Sequence, residues 1–369
     1  MTKSIICNSN LGRGARIAVI ALAVAVCVLN ALAQLSDQDQ VRQEQMRLYA
    51  EVRREHPVPK DAKKLALLFS FPQEEELRKD AGLWGARYMT IDGTGDLFIS
   101  DSRAHRILMF DSSGRFIRSI GKKGQAPGEF LFPRGIAHDG KGLIVNDTGN
   151  HRLQFFDSNG GFLSSFAVYK TYYEIAASED GKIYAAPIRT EEADPLVDVF
   201  DRRGKIVLSF GTAKKFTKWQ QLNWIRIASN ARNVFVVYQS LPIFQVYSKS
   251  GALLVEANFG RGFMKDQEKM NISRDSAKAA SQTAFISIVQ DLKQYRGNAF
   301  VLVGHPRTEI LEFDDKGRLI QAWWAERTYD SIVESFSFYS GFRKPRFYFL
   351  QLNPENLVRA FEEVRQELR

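Results

Sequence analysis

Gly121 to Phe166 reads GKKGQAPGEFLFPRGIAHDGKGLIVNDTGNHRLQFFDSNGGFLSSF, and its second half repeats a stretch just upstream. That stretch, Gly95 to Gly121, is GDLFISDSRAHRILMFDSSGRFIRSIG; its counterpart, Gly142 to Ala167, is GLIVNDTGNHRLQFFDSNGGFLSSFA. Superposed, Asp101 meets Asp147, His105-Arg106 meets His151-Arg152, Phe110-Asp111 meets Phe156-Asp157 and Gly114 meets Gly160, always 46 residues apart. Both halves alternate apolar and polar residues and are broken by Asp/Ser/Gly turns, the pattern of short antiparallel strands. A period of forty-odd residues built from such strands implies propeller blades. One blade cannot bury both of its faces, so neighbours must stack in a closed ring.

Gly121 to Phe166 also resembles an NHL repeat. It has a G-x-x-G-x-x-x-G-x-F-x-x-P-x-G-I-A lead, a D-x-x-x-H-R-hydrophobic core and an F-D-x-x-G-x-F ending. The preceding blade matches from Ile91 onward, and later blades keep fragments. The resemblance implies a six-bladed propeller. It implies function only loosely, because NHL propellers include binding modules, scaffolds and a few enzymes.

The chain's 369 residues, 44% hydrophobic and 12% aromatic, suffice for one large core. Residues 1–33 read as a signal peptide. Lys3, Arg13 and Arg16 precede an apolar run, Ile17 to Leu29, and Ala31-Leu32-Ala33 forms an A-x-A cleavage signal before Gln34. The other reading is an uncleaved anchor, but the apolar run is near the lower limit for spanning and Asn30 interrupts it. The expected destination is export, periplasmic or extracellular, with no stable membrane span after cleavage. Both cysteines, Cys7 and Cys27, fall in the leader, so the mature chain offers no disulfide or thiolate metal site. Cleavage takes three charges from +9 and leaves +6, a modest basic excess that suits anionic glycans, envelope lipids or acidic partners.

Residues 34–60 form an N-terminal helical segment, with Val41, Leu48, Tyr49 and Val52 on one stripe of Ser36 to Glu55. Residues 61–369 form the propeller. Two blades occupy Tyr88 to Phe166, and weaker ones follow at Tyr172–Gly211, Asn223–Gly260 and Ala284–Ala325, with a polar helical insertion near 261–282. The last forty residues supply three strands, and the strand at 65–71, LALLFSF, is expected to complete that blade and seal the ring. The fold class is all-β: six four-stranded antiparallel blades with an N-terminal helix and the helical insertion.

Residues that recur in every blade serve the blade. Asp101, Asp147, His105 and His151 are therefore read as structural, and Asp111, Asp157, Asp201 and Asp314 as turn residues. Function belongs where blades differ. Five residues before Asp92 and Asp139 stand Arg87 and Arg134, and the matching positions in later blades are Tyr173, Trp224 and Phe285. Two guanidiniums and three aromatics around one channel mouth suit a flat ligand or a sugar with an anionic group, the other reading being packing that plugs the channel with the arginines solvated. At an effective dielectric of about 20 and roughly 8 Å, the two arginines would repel by about 2 kcal/mol unless an anion sits between them. Catalytic signals are poor: the five histidines are scattered, and no H-E-x-x-H, G-x-S-x-G or P-loop occurs.

The sequence thus favours a binding module, acting through the channel rim on a protein or a small anionic or carbohydrate ligand, over an enzyme. No cofactor is expected, the exported location argues against nucleic acid, and a monomer is expected. The alternative is a metal-assisted lyase or lactone hydrolase with calcium or zinc at the mouth of the channel. Enzymes on related propellers hold such a metal with Glu, Asn and Asp, and Glu174, Asn223 and Glu334 lie near the inner strands for that role.

Overall fold

The computed structural model describes residues 58–364 except 74–80, 189–193, 217–219, 277–286, 305–307, 327–331, 343 and 353–355. The leader, the Ser36 to Glu55 helix and Phe285 lie outside the described residues. The first strand, β1 (Lys63–Phe71), precedes blade one: β2 (Ala86–Ile91), β3 (Leu97–Asp101), β4 (Arg106–Phe110) and β5 (Phe116–Ile120). Blade two is β6 (Pro133–His138), β7 (Gly142–Asp147), β8 (Arg152–Asp157) and β9 (Phe162–Ala167). Blade three is β10 (Tyr172–Ala177), β11 (Ile183–Pro187), β12 (Pro195–Phe200) and β13 (Ile206–Thr212). Blade four is β14 (Ile225–Ser229), β15 (Asn233–Tyr238), β16 (Ile243–Ser248) and β17 (Leu253–Asn258), followed by helix α1 (Phe263–Ser276). Blade five is β18 (Val289–Tyr295), β19 (Asn298–Val303), β20 (Thr308–Phe313) and β21 (Leu319–Ala325). Blade six takes β22 (Ile332–Tyr339), β23 (Arg346–Leu352) and β24 (Leu357–Glu363), with β1 outermost.

Second strands such as β7 and β15 are buried along their whole length, because a neighbouring blade covers each face. Outermost strands such as β9 are largely exposed. Core clusters span blade pairs: Phe98, Ile107 and Phe130 join Leu143 and Phe156 between blades one and two. Tyr184, Val197 and Phe210 join Ile227, Val236 and Tyr247 between blades three and four.

In blades one, two, three and five the turn between the third and fourth strands is built by aspartate, and in blade four by Ser248. Asp111 Oδ1 accepts from the backbone of Ser113 and Arg115, Asp157 from Asn159 and Gly161, Asp201 from Arg203 and Lys205, and Asp314 from Lys316 and Arg318. Gly114 and Gly160 follow in the left-handed region, at φ 84° and 86°. A Cβ at Gly160 would collide with Ile120 of blade one, and one at Gly114 with Phe71 of β1. Thus β1 lies beside blade one just as β5 lies beside blade two, and the ring closes through it. Met89 N–H donating to Ser335 Oγ at 3.1 Å joins the inner strands of blades one and six at the same seam.

The recurrent Asp and Arg clamp the loop that leads into each inner strand. Asp101 accepts from the backbone N–H of Trp84 (3.1 Å) and Gly85 (2.7 Å), while Arg106 donates to Gly82 O. Asp147 accepts from Leu131 N–H, Asn150, Arg152 and Gln154, and Arg152 also donates to the carbonyls of Gln125, Ala126 and Glu129.

The histidines differ. Both sit at left-handed φ after a 3-10 turn. His105 is buried and its Nδ1 accepts from Phe132 N–H at 3.0 Å, whereas His151 is exposed. The shared structural role therefore holds as a side-chain role for His105 only. Burial holds its imidazole below the ordinary 6.5, with Lys123 adding to the effect. Its neutral form is the one that accepts the bond. Its contribution is therefore present above the unfolded value and lost as pH falls through the folded one. We expect His105→Ala to cost about 1–2 kcal/mol at pH 8. The deficit relative to wild type should shrink on acidification, read by urea unfolding at pH 8 and pH 5.5. A pH-independent deficit would contradict the role of the neutral ring.

Candidate functional site

Each inner strand runs from the channel mouth crossed by the lead-in loops to the mouth at the first hairpin turns. At the beginning of these strands, Arg87, Arg134, Tyr173 and Trp224 come together as walls of one cup of about 190 Å³. Tyr88, Ile188, Arg226, Gln239 and Glu334 complete it. Residues of five blades thus line one cavity.

Tyr173 and Trp224 stack with centroids 5.7 Å apart and planes tilted by 38°. The Tyr173 hydroxyl donates to Ile225 O at 2.8 Å and accepts from Ile225 N–H. Burial raises its pKa, so it stays protonated as a fixed wall between blades three and four. Arg87 is half-exposed and donates to Glu334 of blade six at 3.3 Å. Glu334 thus supplies Arg87 with a carboxylate from within the chain. Arg134 is left partly exposed, with no carboxylate partner among the described residues.

Below the cup, Arg226 donates to Glu174 at 2.6 Å, with the two side chains 9% and 5% exposed. Tyr88 lies 5.2 Å from the guanidinium, over which its ring is placed. Burial pushes the Glu174 carboxyl up against the pull of Arg226, and the nearby phenol and carboxylates hold Arg226 firmly protonated. Arg226 lines the cup, while Glu174 lines a second chamber of about 530 Å³ at the opposite mouth, so the pair lies where the two abut. The cavities have opposite character. The cup carries three guanidiniums and one carboxylate, and the chamber carries Asp92, Glu174 and Glu179 with one ammonium, Lys293.

Each of the proposed metal ligands already has a partner within the chain. Glu174 is held by Arg226 and Glu334 by Arg87, while Asn223 spends its amide on both backbone groups of Lys214. No group of three His, Cys, Asp or Glu able to hold a metal occurs among the described residues. Sequence reasoning missed Arg226 and Gln239 in the cup, and the larger chamber altogether. A signal for the first was present: IRIAS and YYEIAA each carry one charge in an otherwise apolar inner strand.

Six four-stranded blades arranged in a ring, with a polar cavity at one mouth of the channel, define a six-bladed β-propeller. Residues 90–317, more than half of the chain, match the DUF5128 family of 6-bladed beta-propellers, and the chain belongs to that family. No curated protein matches it in sequence. Among solved structures, it is similar to a Bacteroides fragilis protein described as exported: TM-score 0.55, 15% identity, covering 85% of this chain and 98% of that one. A DUF4221 member from Bacteroides vulgatus gives 0.51 and 12%, covering 82% and 98%. The virginiamycin B lyase of Staphylococcus aureus gives 0.49 and 10%, covering 81% and 99%, and nothing is carried over from it. Among the described residues, no helix is long and apolar enough to cross a membrane.

Proposed function

We propose that this is an exported, NHL-like binding module, periplasmic or extracellular, whose cup takes the carboxylate of a small ligand or of a partner. One observation carries the reading: Arg134 stands in a cup with Arg87 and Arg226, each of which already has a carboxylate, and has none itself among the described residues. A guanidinium recognises a carboxylate through paired N–H donors, and the Trp224–Tyr173 wall offers apolar surface to the rest of the molecule. A volume of about 190 Å³ admits one residue-sized group rather than a drug-sized ligand. Export is supported by the basic, apolar and A-x-A segments of the leader.

The test is calorimetric titration with N-acetylglutamate, acidic monosaccharides and their uncharged counterparts. Arg134→Ala is expected to weaken binding of the anionic set by about tenfold or more, in line with a charge-assisted pair of about 1.5–3 kcal/mol, and to leave the melting temperature unchanged. Equal binding by both proteins would place the ligand elsewhere.

A further inference from the structure

The lead-in face of blades one and two carries aromatic and cationic groups that neither the fold nor, Arg134 apart, the cup uses. Trp84 is 69% exposed and Phe132 is 51% exposed, although each sits beside a clamped backbone. Trp84 N–H is held by Asp101, and Phe132 N–H by His105, whose ring meets the Phe132 ring edge-on at 4.6 Å. Phe132 also adopts φ 51°, a left-handed conformation that costs a bulky residue energy without burying its ring. Two large aromatics are thus presented to solvent from anchored backbone.

The cations on the same face are equally unspent. Arg103 lies across Gly85, next to Trp84, where an added Cβ would be 2.6 Å from its Cγ. Lys123 is exposed and close enough to His105 to lower its pKa. Arg103, Lys123 and Arg134 have no carboxylate partner among the described residues. The nearby acids are engaged: Asp101 and Asp147 are buried in their clamps, and Glu129 is bound by Ala126 N–H and Lys122. The Ser102 hydroxyl donates to Pro133 O, which fixes the hairpin bearing Arg103 against the loop bearing Phe132. Among the described residues the patch is therefore cationic, and it reaches the cup through Arg134.

We propose that this face is a docking surface for an acidic segment of a partner protein. The proposal rests on the cup reading only through Arg134, which belongs to both. Three cations with no carboxylate partner among the described residues select an acidic partner by charge complementarity. Trp and Arg are the side chains that dominate protein–protein contacts, and aromatics borne on an anchored backbone lose less freedom on binding, which favours a peptide over an acidic polysaccharide.

The test uses the full chain and a fluorescein-labelled dodecapeptide of Asp, Glu and Gly, with N-acetylglutamate as the cup probe and polygalacturonate as the polysaccharide arm. Binding of the peptide should weaken with added salt. Arg103→Glu combined with Lys123→Glu should lower peptide affinity at least tenfold, and Trp84→Ala at least fivefold. Both variants should bind N-acetylglutamate within twofold of the parent, which separates failure of the patch from failure of the cup. Circular dichroism and melting curves confirm folding, and all three side chains are exposed. The proposal is overturned if the parent binds no peptide, if the variants bind it like the parent, or if polygalacturonate binds more tightly and displaces it.

Discussion

Deletion of residues 63–71 is expected to leave a protein that aggregates on expression, although every other blade is intact. β1 pairs antiparallel with β24 from Leu65–Glu363 to Phe71–Val358, and parallel with β21 at Lys63 to Leu65. Removing it leaves the hydrogen-bonding edge of β24 unpaired, an open template for another chain. It also uncovers the seam on both sides. Leu65 is 2% exposed and belongs to the cluster containing Ile310, Trp323 and Phe361. Phe71, also 2% exposed, belongs to the cluster containing Met89, Leu108, Phe110 and Tyr348. Phe71 alone should reveal the effect in soluble form: Phe71→Ala empties a space against Gly114 and Phe110 and should cost about 3–5 kcal/mol. Size-exclusion chromatography and urea unfolding read both. A soluble, monomeric deletion variant with the parent's melting curve would show that the ring is sealed elsewhere.

How much of this was legible beforehand depends on repetition. Asp101 and Asp147, and the turn aspartates with their glycines, recur because every blade meets the same backbone problem, so their structural role could be read from spacing alone. Arg87 and Arg134 could be found by counting back from the same turns, and the structure places both in the cup with Tyr173 and Trp224. What repetition cannot reveal is pairing between blades. Glu334 finds Arg87 across 247 positions, and Glu174 finds Arg226 across 52, through ring closure and stacking that no local pattern encodes. Glu174, Asn223 and Glu334 looked free as oxygen ligands because their partners were invisible. His151 looked like His105 because the motif is the same. Only the following loop decides which of the two is covered.

The ion pair between the two cavities has the largest expected effect of any single charged residue. Arg226→Met keeps the length of the side chain but leaves the Glu174 carboxylate buried without its counter-ion, which should cost about 3–5 kcal/mol at neutral pH. Glu174 already has a raised pKa through burial, and Asp291 nearby raises it further, so losing the guanidinium moves it higher still. A carboxyl whose folded pKa lies above the unfolded one binds more protons in the folded state. Its stability is present below the ordinary value of 4.5 and lost as pH rises through the folded value. The deficit of Arg226→Met relative to the parent should therefore be smaller at pH 5 than at pH 8. Adding Glu174→Gln removes the titrating group, so the double variant should recover most of the loss at pH 8 and lose the pH dependence. This follows because the penalty lies in the orphaned charge rather than in the missing attraction. Urea unfolding of the parent, both single variants and the double variant at the two pH values closes the cycle. A deficit below about 1 kcal/mol, or one equal at both pH values and not rescued, would mean that water reaches Glu174 and that the two cavities communicate.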